Sequence, residues 1–399
     1  MGVNRSKVVG EGTEGPASAP PLRHIPELDG IRGLAALSVF FHHILFSTLN
    51  MKGWSLPAQI FAWLAHPGSY GVNLFFILSG FLITSILLAD RSKPHYYNNF
   101  YWKRALRILP LYILCLLAIL AFYPNSKSFV LLCVFFISNF AIVFHVTGLG
   151  PFWTLAVEEQ FYLIWPTVVH RRSLEQVKRW SAILVVLTIL ARFAAAVIGH
   201  HDYHLTFFCC DGLAAGAWMA CWMKQRTQGI GDGTNIQSYA IMAMFAGSAS
   251  VALSLLPRLS LAFSNAFEYT GACILLAGAF LLVLIHRGAP ALAIFRSAVL
   301  TFFGLISYAF YMFHLFVLEL YDAKIGIPLP NHYAAYFIRF TAVFAGTLVL
   351  CLLSRYLFEI PIMSLRKYVL KPSRLQAGVV HPQPHTASPV SERARTESN

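Results

Sequence analysis

Three groups of titratable side chains lie inside runs that are otherwise apolar, and each has the makings of acid–base chemistry. The first is LDGIRGLAALSVFFHHILF, Leu28 to Phe46, in which His43 follows Arg32 by eleven residues. At ~100° and ~1.5 Å per helical residue, that spacing puts the two side chains within about 20° of each other on one face, ~16 Å apart along the axis. Asp29 stands one turn before Arg32. The small residues Ala35, Ala36 and Val39 lie between, so the face reads as a shallow slot running from a cation at the water boundary to an imidazole in apolar surroundings. His42 points about 100° away. An ionisable group at membrane depth is costly and is by default a functional hypothesis; the alternative is a histidine satisfied by a neighbouring helix.

The second group is FWTLAVEEQFYLIWP, Phe152 to Pro166, with Glu158 and Glu159 adjacent and about 100° apart on a helix, so that only one faces a shared site squarely. A carboxylate at this depth needs a cationic partner. It is either a structural ion pair or an acid that orients a hydroxyl or an imidazole, and both readings stand. The third group is GLISYAFYMFHLF, Gly304 to Phe316, where Ser307, Tyr311 and His314 share a face by i, i+4, i+7 spacing. A polar stripe of this kind faces the interior of a bundle, although an aromatic belt at the membrane surface also accounts for the tyrosines.

Two further stretches are candidates for ligand contact. In YWKRALRILP, Tyr101 to Pro110, helical spacing crowds Lys103, Arg104 and Arg107 into one patch, which suits a polyphosphate, with Tyr101 and Trp102 able to stack on a base. Basic residues beside a span end are also ordinary topology signals. Ser79-Gly80 sits mid-span, where a small pair admits a neighbouring helix and Ser79 doubles as a candidate ligand contact. His200, His201, Asp202 and His204 are ligand types in a loop with nothing to complete a metal centre, so a solvated loop and no metal are expected.

The elements that must position these groups follow from composition. The chain of 399 residues is 57% hydrophobic and 12% charged, which excludes an ordinary soluble domain and points to an all-α polytopic bundle of transmembrane helices. The formal charge of +13 does not imply nucleic acid, because the cations fall between apolar segments instead of clustering. Eleven apolar segments are long enough to consider. If the one at 128–146 is re-entrant or lies at the surface, ten spans remain, and 24 of the 30 Lys and Arg residues fall on the cytosolic side together with both termini. Irregular backbone around Ser138, Asn139 and His145 is then expected to line a cavity. Residues 1–24 read as a cytosolic tail without a cleavable signal, 25–370 as the membrane domain, and 371–399 as a disordered cytosolic tail. The seven cysteines all lie in apolar segments without CxxC spacing and read as core residues.

With these residues in view, the chain resembles the acyltransferase-3 family of integral-membrane acyltransferases. The pieces occur in family order: LDGIRGLAAL with His43 eleven after Arg32, GVNLFFILSGFLI, FYWKRALRILP, FWTLAVEEQFY, DGLAAG at Asp211 to Gly216, and ISYAFYMFH. The resemblance implies about ten helices and transfer of an acyl group, usually acetyl, from cytosolic acyl-CoA to a hydroxyl of a carbohydrate or glycosylated acceptor. Acyl-CoA is then a co-substrate, with no permanently bound cofactor, and a bacterial plasma membrane is the expected location. The family's arginine and histidine of the first helix fall on Arg32 and His43, its basic pair on Arg104 and Arg107, and its carboxylate on Glu158. Departures from the pattern include Asn73 and the late run Phe313-His314-Leu315-Phe316.

Together these residues suggest phosphates held by Lys103, Arg104 and Arg107 and a pantetheine arm along the Arg32–His43 slot. His43, kept neutral by apolar burial, acts as general base, and Glu158 orients the acceptor or the imidazolium. Asp29, Ser79, Tyr311 and His314 are the further binding candidates. A sugar or lipid-linked glycan transporter with His43, Glu158 and His314 as a proton relay is the alternative, although no inverted repeat is visible.

Overall fold

Ten helices of 17 or more residues carry the fold in the computed structural model, which describes residues 25–47, 54–123, 125–148, 150–230, 235–324 and 332–365. They are α1 (Pro26–His42), α2 (Gly71–Asp90), α3 (Tyr96–Phe122), α4 (Phe152–Arg171), α5 (Leu174–Val197), α6 (Asp211–Thr227), α7 (Ile236–Ser254), α8 (Leu261–Ile285), α9 (Ala298–Lys324) and α10 (His332–Ser354). No strand occurs among the described residues. The expected tails, 1–24 and 371–399, lie outside them. Eight helices are long and apolar enough to cross a membrane; α4 and α6, which carry Glu158, Glu159 and Asp211, complete the bundle. Large apolar side chains such as Leu117, Ile164, Phe245, Leu305 and Phe337 are more than half exposed, an outer surface that lipid would cover.

Local sequence explains the helix starts. Pro26 opens α1 with its φ already helical, and Glu27 and Asp29 in the first turn suit the positive end of the helix dipole. The helix therefore begins seven residues before the apolar run at 33, and Asp29 and Arg32, expected as a lip at the water boundary, lie within it. Ser173 and Gln176 form a reciprocal capping box at the start of α5. Glu27 is buried and accepts from Arg296 Nη1 at 2.7 Å and from the Gly288 backbone N–H at 2.9 Å, tying the loop before α9 to the start of α1.

The segment at 128–146 breaks into a short helix, Lys127–Val134, and a single turn, Ser138–Phe140. The expected cavity wall around Ser138 and Asn139 is packed into protein, while residues 142–145, His145 included, are exposed. Ser138 donates to the Phe152 carbonyl at 3.0 Å, and Asn139 accepts from Gln160 and donates to Thr206. Both residues are buried, so neighbouring helices supply the hydrogen bonds that water would otherwise make. All seven cysteines are buried and unbridged, as expected of core residues.

Two glycine seams set the spacing of the bundle. A Cβ added at Gly30 would lie 1.8 Å from the Phe295 carbonyl oxygen, one at Gly33 2.0 Å from Leu300 O, and one at Gly304 1.9 Å from Asp29 O. Helix α1 therefore runs parallel to α9 with backbone against backbone, the small-residue packing that membrane helices use in place of a hydrophobic drive. Gly80 and Gly216 do the same between α2 and α6, each bringing a hypothetical Cβ within about 2 Å of a facing carbonyl. The Ser79-Gly80 pair thus has a packing role through its glycine.

Gly304→Ala should force α1 and α9 apart and cost about 1–3 kcal/mol, the usual scale of overpacking. Thermal unfolding of detergent-purified protein should show a clear drop against Gly346→Ala, where the nearest obstacle is only a Val317 methyl at 3.1 Å.

Candidate active site

Parallel packing of α1 and α9 brings His43 to His314 across 271 residues of sequence. His314 Nε2 lies 3.2 Å from His43 Nδ1, and the ring centroids are 5.2 Å apart. The backbone fixes which nitrogens carry protons. His314 Nδ1 is 2.7 Å from the Tyr311 carbonyl oxygen, and a carbonyl only accepts, so this nitrogen is the N–H and Nε2 of the neutral ring is an acceptor. His43 Nδ1 is placed between two acceptors, His314 Nε2 and the Val39 carbonyl at 3.0 Å, so it is the donor. The lone pair of neutral His43 therefore resides on Nε2, the arrangement required of a base whose other nitrogen is held by a positioning partner.

The chain leaves the α-helix at this residue. His43–Ser47 is a π-helical turn, a wider winding that is frequent at functional sites. Its Ile44 carbonyl accepts from Arg339 Nη1 at 3.3 Å, and the Arg339 fork pairs with both oxygens of Asp322 at 2.8 and 2.7 Å. Arg339 is thus a third support of His43, contributed by α10. The sequence reading missed it; the available signal was an arginine in an apolar run, which must find a carboxylate.

Toward the other end of α1, charges converge around Arg104. Its Nε donates to Glu159 Oε1 at 2.8 Å, its Nη2 is 3.7 Å from Glu158 Oε2, and its guanidinium carbon lies 3.3 Å from the centre of the Tyr162 ring. Glu158 Oε1 accepts from Ser79 at 2.6 Å. The prediction that only one glutamate faces the site does not hold, because a single guanidinium fork spans both carboxylates. Arg32, Arg107 and the buried Tyr162 lie within electrostatic range of Glu158, and Asp29 within range of Arg32. Of the expected basic patch, Lys103 turns to Asp90 at 3.3 Å, Arg104 is taken up by its glutamates, and Arg107 is exposed with no ion pair among the described residues.

The two ends are joined by one face of α4. Thr154, one turn before Glu158, has its hydroxyl 3.0 Å from that of Tyr311, whose ring lies 5.7 Å from His314 and 5.7 Å from Phe75. Ser307, the remaining member of the α9 stripe, donates to the Gly304 carbonyl and takes no part. The expected slot along α1 is closed: Ala35 and Val39 are fully buried, with Gly71 of α2 seated against them. The polar track runs through Glu158, Thr154 and Tyr311 instead. Thr154 and Tyr162 went unnoticed in the sequence, although both share the face of Glu158 by i±4 spacing.

Elsewhere, the Asp-Gly pair of DGLAAG is structural. Arg192, fully buried, donates to Asp211 at 2.9 Å, to Thr270 and twice to the Phe208 carbonyl. In the loop before α6, burial pushes the Asp202 carboxyl up, but hydrogen bonds from the His204 ring and backbone N–H outweigh it and hold Asp202 below the ordinary carboxylate range. This is an Asx turn, and no His, Cys, Asp and Glu cluster suited to a metal occurs among the described residues.

Residues 25–356 match the family model described as an acyltransferase domain. The chain is 26% identical over 372 residues to the peptidoglycan O-acetyltransferase OatA of Listeria monocytogenes, covering 85% of this chain and 56% of that protein. It is 30% identical over 203 residues to the putative peptidoglycan O-acetyltransferase YrhL of Bacillus subtilis, covering 44% of this chain and 29% of that protein. To a putative O-acetyltransferase of Staphylococcus aureus it is 26% identical over 370 residues, 84% of this chain and 57% of that protein. The chain spans about half the length of the curated relatives that it matches along most of its own length. No solved structure matches it.

Arg104→Ala should leave two largely buried carboxylates without their shared cation, at a cost of about 3 kcal/mol or more. Lys103→Ala, which breaks a part-exposed pair, should cost less than about 1 kcal/mol. Thermal unfolding of the two variants beside wild type reads the difference.

Proposed function

The chain belongs to the acyltransferase-3 family, and on that premise we propose that it moves an acetyl group from acetyl-CoA to a hydroxyl of a carbohydrate acceptor. The names of its relatives make a peptidoglycan glycan strand the leading acceptor. The observation that carries the reading is the His43–His314 contact, which leaves the His43 lone pair on Nε2 at the end of a buried polar track.

The acceptor hydroxyl gives its proton to His43 Nε2 as its oxygen attacks the thioester carbonyl. The new C–O bond forms, the C–S bond breaks, and the CoA thiolate leaves and takes up the proton that His43 received, which returns the imidazole to its neutral form. The imidazolium formed at His43 is stabilised through Nδ1–H by His314 Nε2 and the Val39 carbonyl, which is electrostatic stabilisation already in place before the reaction. At the other end of the track Arg107, with Arg32 and Lys103 nearby, is the cation available to the donor's phosphates. Arg104 holds Glu158 and Glu159 in position instead of binding phosphate itself. Acyl-CoA enters at the end of the bundle where the basic connections lie, which the positive-inside rule places in the cytosol together with both termini, in a bacterial plasma membrane.

Purified protein should release free CoA from acetyl-CoA. His43→Ala should lower kcat by about 100-fold or more, the usual contribution of a general base, while still binding CoA. His314→Phe, a positioning variant, should lower kcat by about tenfold and leave KM for acetyl-CoA near wild type. Loss of CoA binding in His43→Ala, or full activity in it, would remove His43 from the role of base. Failure of wild type to bind acetyl-CoA would sink the donor assignment altogether.

Arg107→Ala should do the converse, raising KM for acetyl-CoA about tenfold with kcat little changed, as expected for loss of a charge-assisted contact to phosphate. An unchanged KM would take Arg107 out of the donor site.

A further inference from the structure

Immediately before His43, the first helix turns His42 in another direction, and it lands in a nest of rings. The His42 ring lies 5.6 Å from Phe46 and 6.0 Å from His66 between centroids; Phe46 in turn lies 4.9 Å from Trp63 and 4.8 Å from His66. A carboxylate closes the set. Tyr70 donates to Glu268 Oε1 at 3.0 Å, and His66 Nε2 is 3.8 Å from the same oxygen. Trp63 is 56% exposed, and the side chains of His66 and Glu268 are 30% and 25% exposed, so the cluster is open on one side. Within it, His42 Nδ1 is buried and has no hydrogen-bond partner among the described residues.

Aromatic rings alone at the end of a span form an ordinary interfacial belt. A belt does not call for a half-buried carboxylate shared by a tyrosine and a histidine, whose hydrogen bond and nearby imidazole offset the cost of burying it and hold it beside the rings. Exposed aromatic faces beside a carboxylate and imidazoles match one ligand chemistry well. A pyranose ring offers a flat C–H face to an aromatic side chain and a rim of hydroxyls to a carboxylate and ring nitrogens, the mix of apolar lining and few polar anchors usual in ligand sites.

We propose that Trp63, Phe46, His66, His42, Tyr70 and Glu268 form the subsite that holds a sugar ring of the acceptor. The proposal rests on the acyl-transfer reading above and adds to it the residues that receive the acceptor. The placement fits that role: Trp63 contacts Phe46 and His66, both contact His42, and the His42 and His43 rings are 5.4 Å apart, so the cluster runs ring by ring from the exposed Trp63 to the base. Donor and acceptor then reach His43 from opposite ends of α1.

The test is binding of chitopentaose, a soluble pentamer of N-acetylglucosamine, to the full chain in nanodiscs by saturation-transfer NMR, with acetyl-CoA binding measured on the same samples. Wild type should bind, with saturation strongest on the ring C–H protons. Trp63→Ala should weaken binding at least about fivefold and Glu268→Gln about tenfold, while both keep wild-type affinity for acetyl-CoA. Trp63→Phe, which keeps a ring, should recover most of the loss. No binding by wild type at millimolar sugar, or equal binding in both variants, would overturn the proposal and leave the cluster as a membrane belt. If wild type binds the sugar through these residues but never binds acetyl-CoA, the subsite stands and the acyl-transfer reading falls.

Discussion

Where α1 meets α9, backbone lies directly on backbone, and the rest of the site depends on that approach. Gly33 and Gly304 there, and Gly30 against Phe295 in the turn just before α9, each leave out a side chain that would otherwise collide with a carbonyl less than about 2.1 Å away. In a bilayer, lipid tails are as apolar as the helices, so close packing of this kind must supply much of the association energy. Its consequence for chemistry is geometric. Two parallel helices held this close bring His43 and His314, one from each, to 3.2 Å, and the backbone carbonyls of Val39 and Tyr311 then decide where the protons sit.

The buried charges divide into those that are fully answered by protein and those that are not. Arg192 has Asp211, Thr270 and Phe208; Arg339 has Asp322 and the Ile44 carbonyl; Arg104 has two glutamates and a tyrosine ring. Such groups are tolerated at depth because their hydrogen bonds offset the lost hydration, and removing one partner is what becomes expensive. The π-turn at His43 belongs to this scheme, since Arg339 binds the carbonyl of the very next residue. Arg107 and Trp63 are exposed instead, toward opposite ends of α1.

The chain covers about half the length of OatA and of its staphylococcal relative. What the bundle itself carries is a histidine pair with a held tautomer and a run of polar side chains along one face of α4.

The sequence by itself determined the class, the helices and the face of α1 that carries Arg32 and His43, because apolar run length and helical periodicity are local properties. It also marked Glu158, Tyr311 and His314, since polar groups in apolar helices announce themselves by their cost. The tertiary structure alone decided who meets whom. Lys103, Arg104 and Arg107 are neighbours in sequence, yet they part toward Asp90, Glu159 and solvent, because partners come from other helices. The small residues Ala35 and Val39 look like a slot in one helix and are a sealed seam in the bundle, filled by Gly71. Asn139 looks like a cavity wall and is a buried hydrogen-bonding hub, and Arg339 gives no sign in sequence that it holds the turn at His43. Helical periodicity fixes the direction in which a side chain leaves its own helix; what lies in that direction depends on contacts hundreds of residues away along the chain.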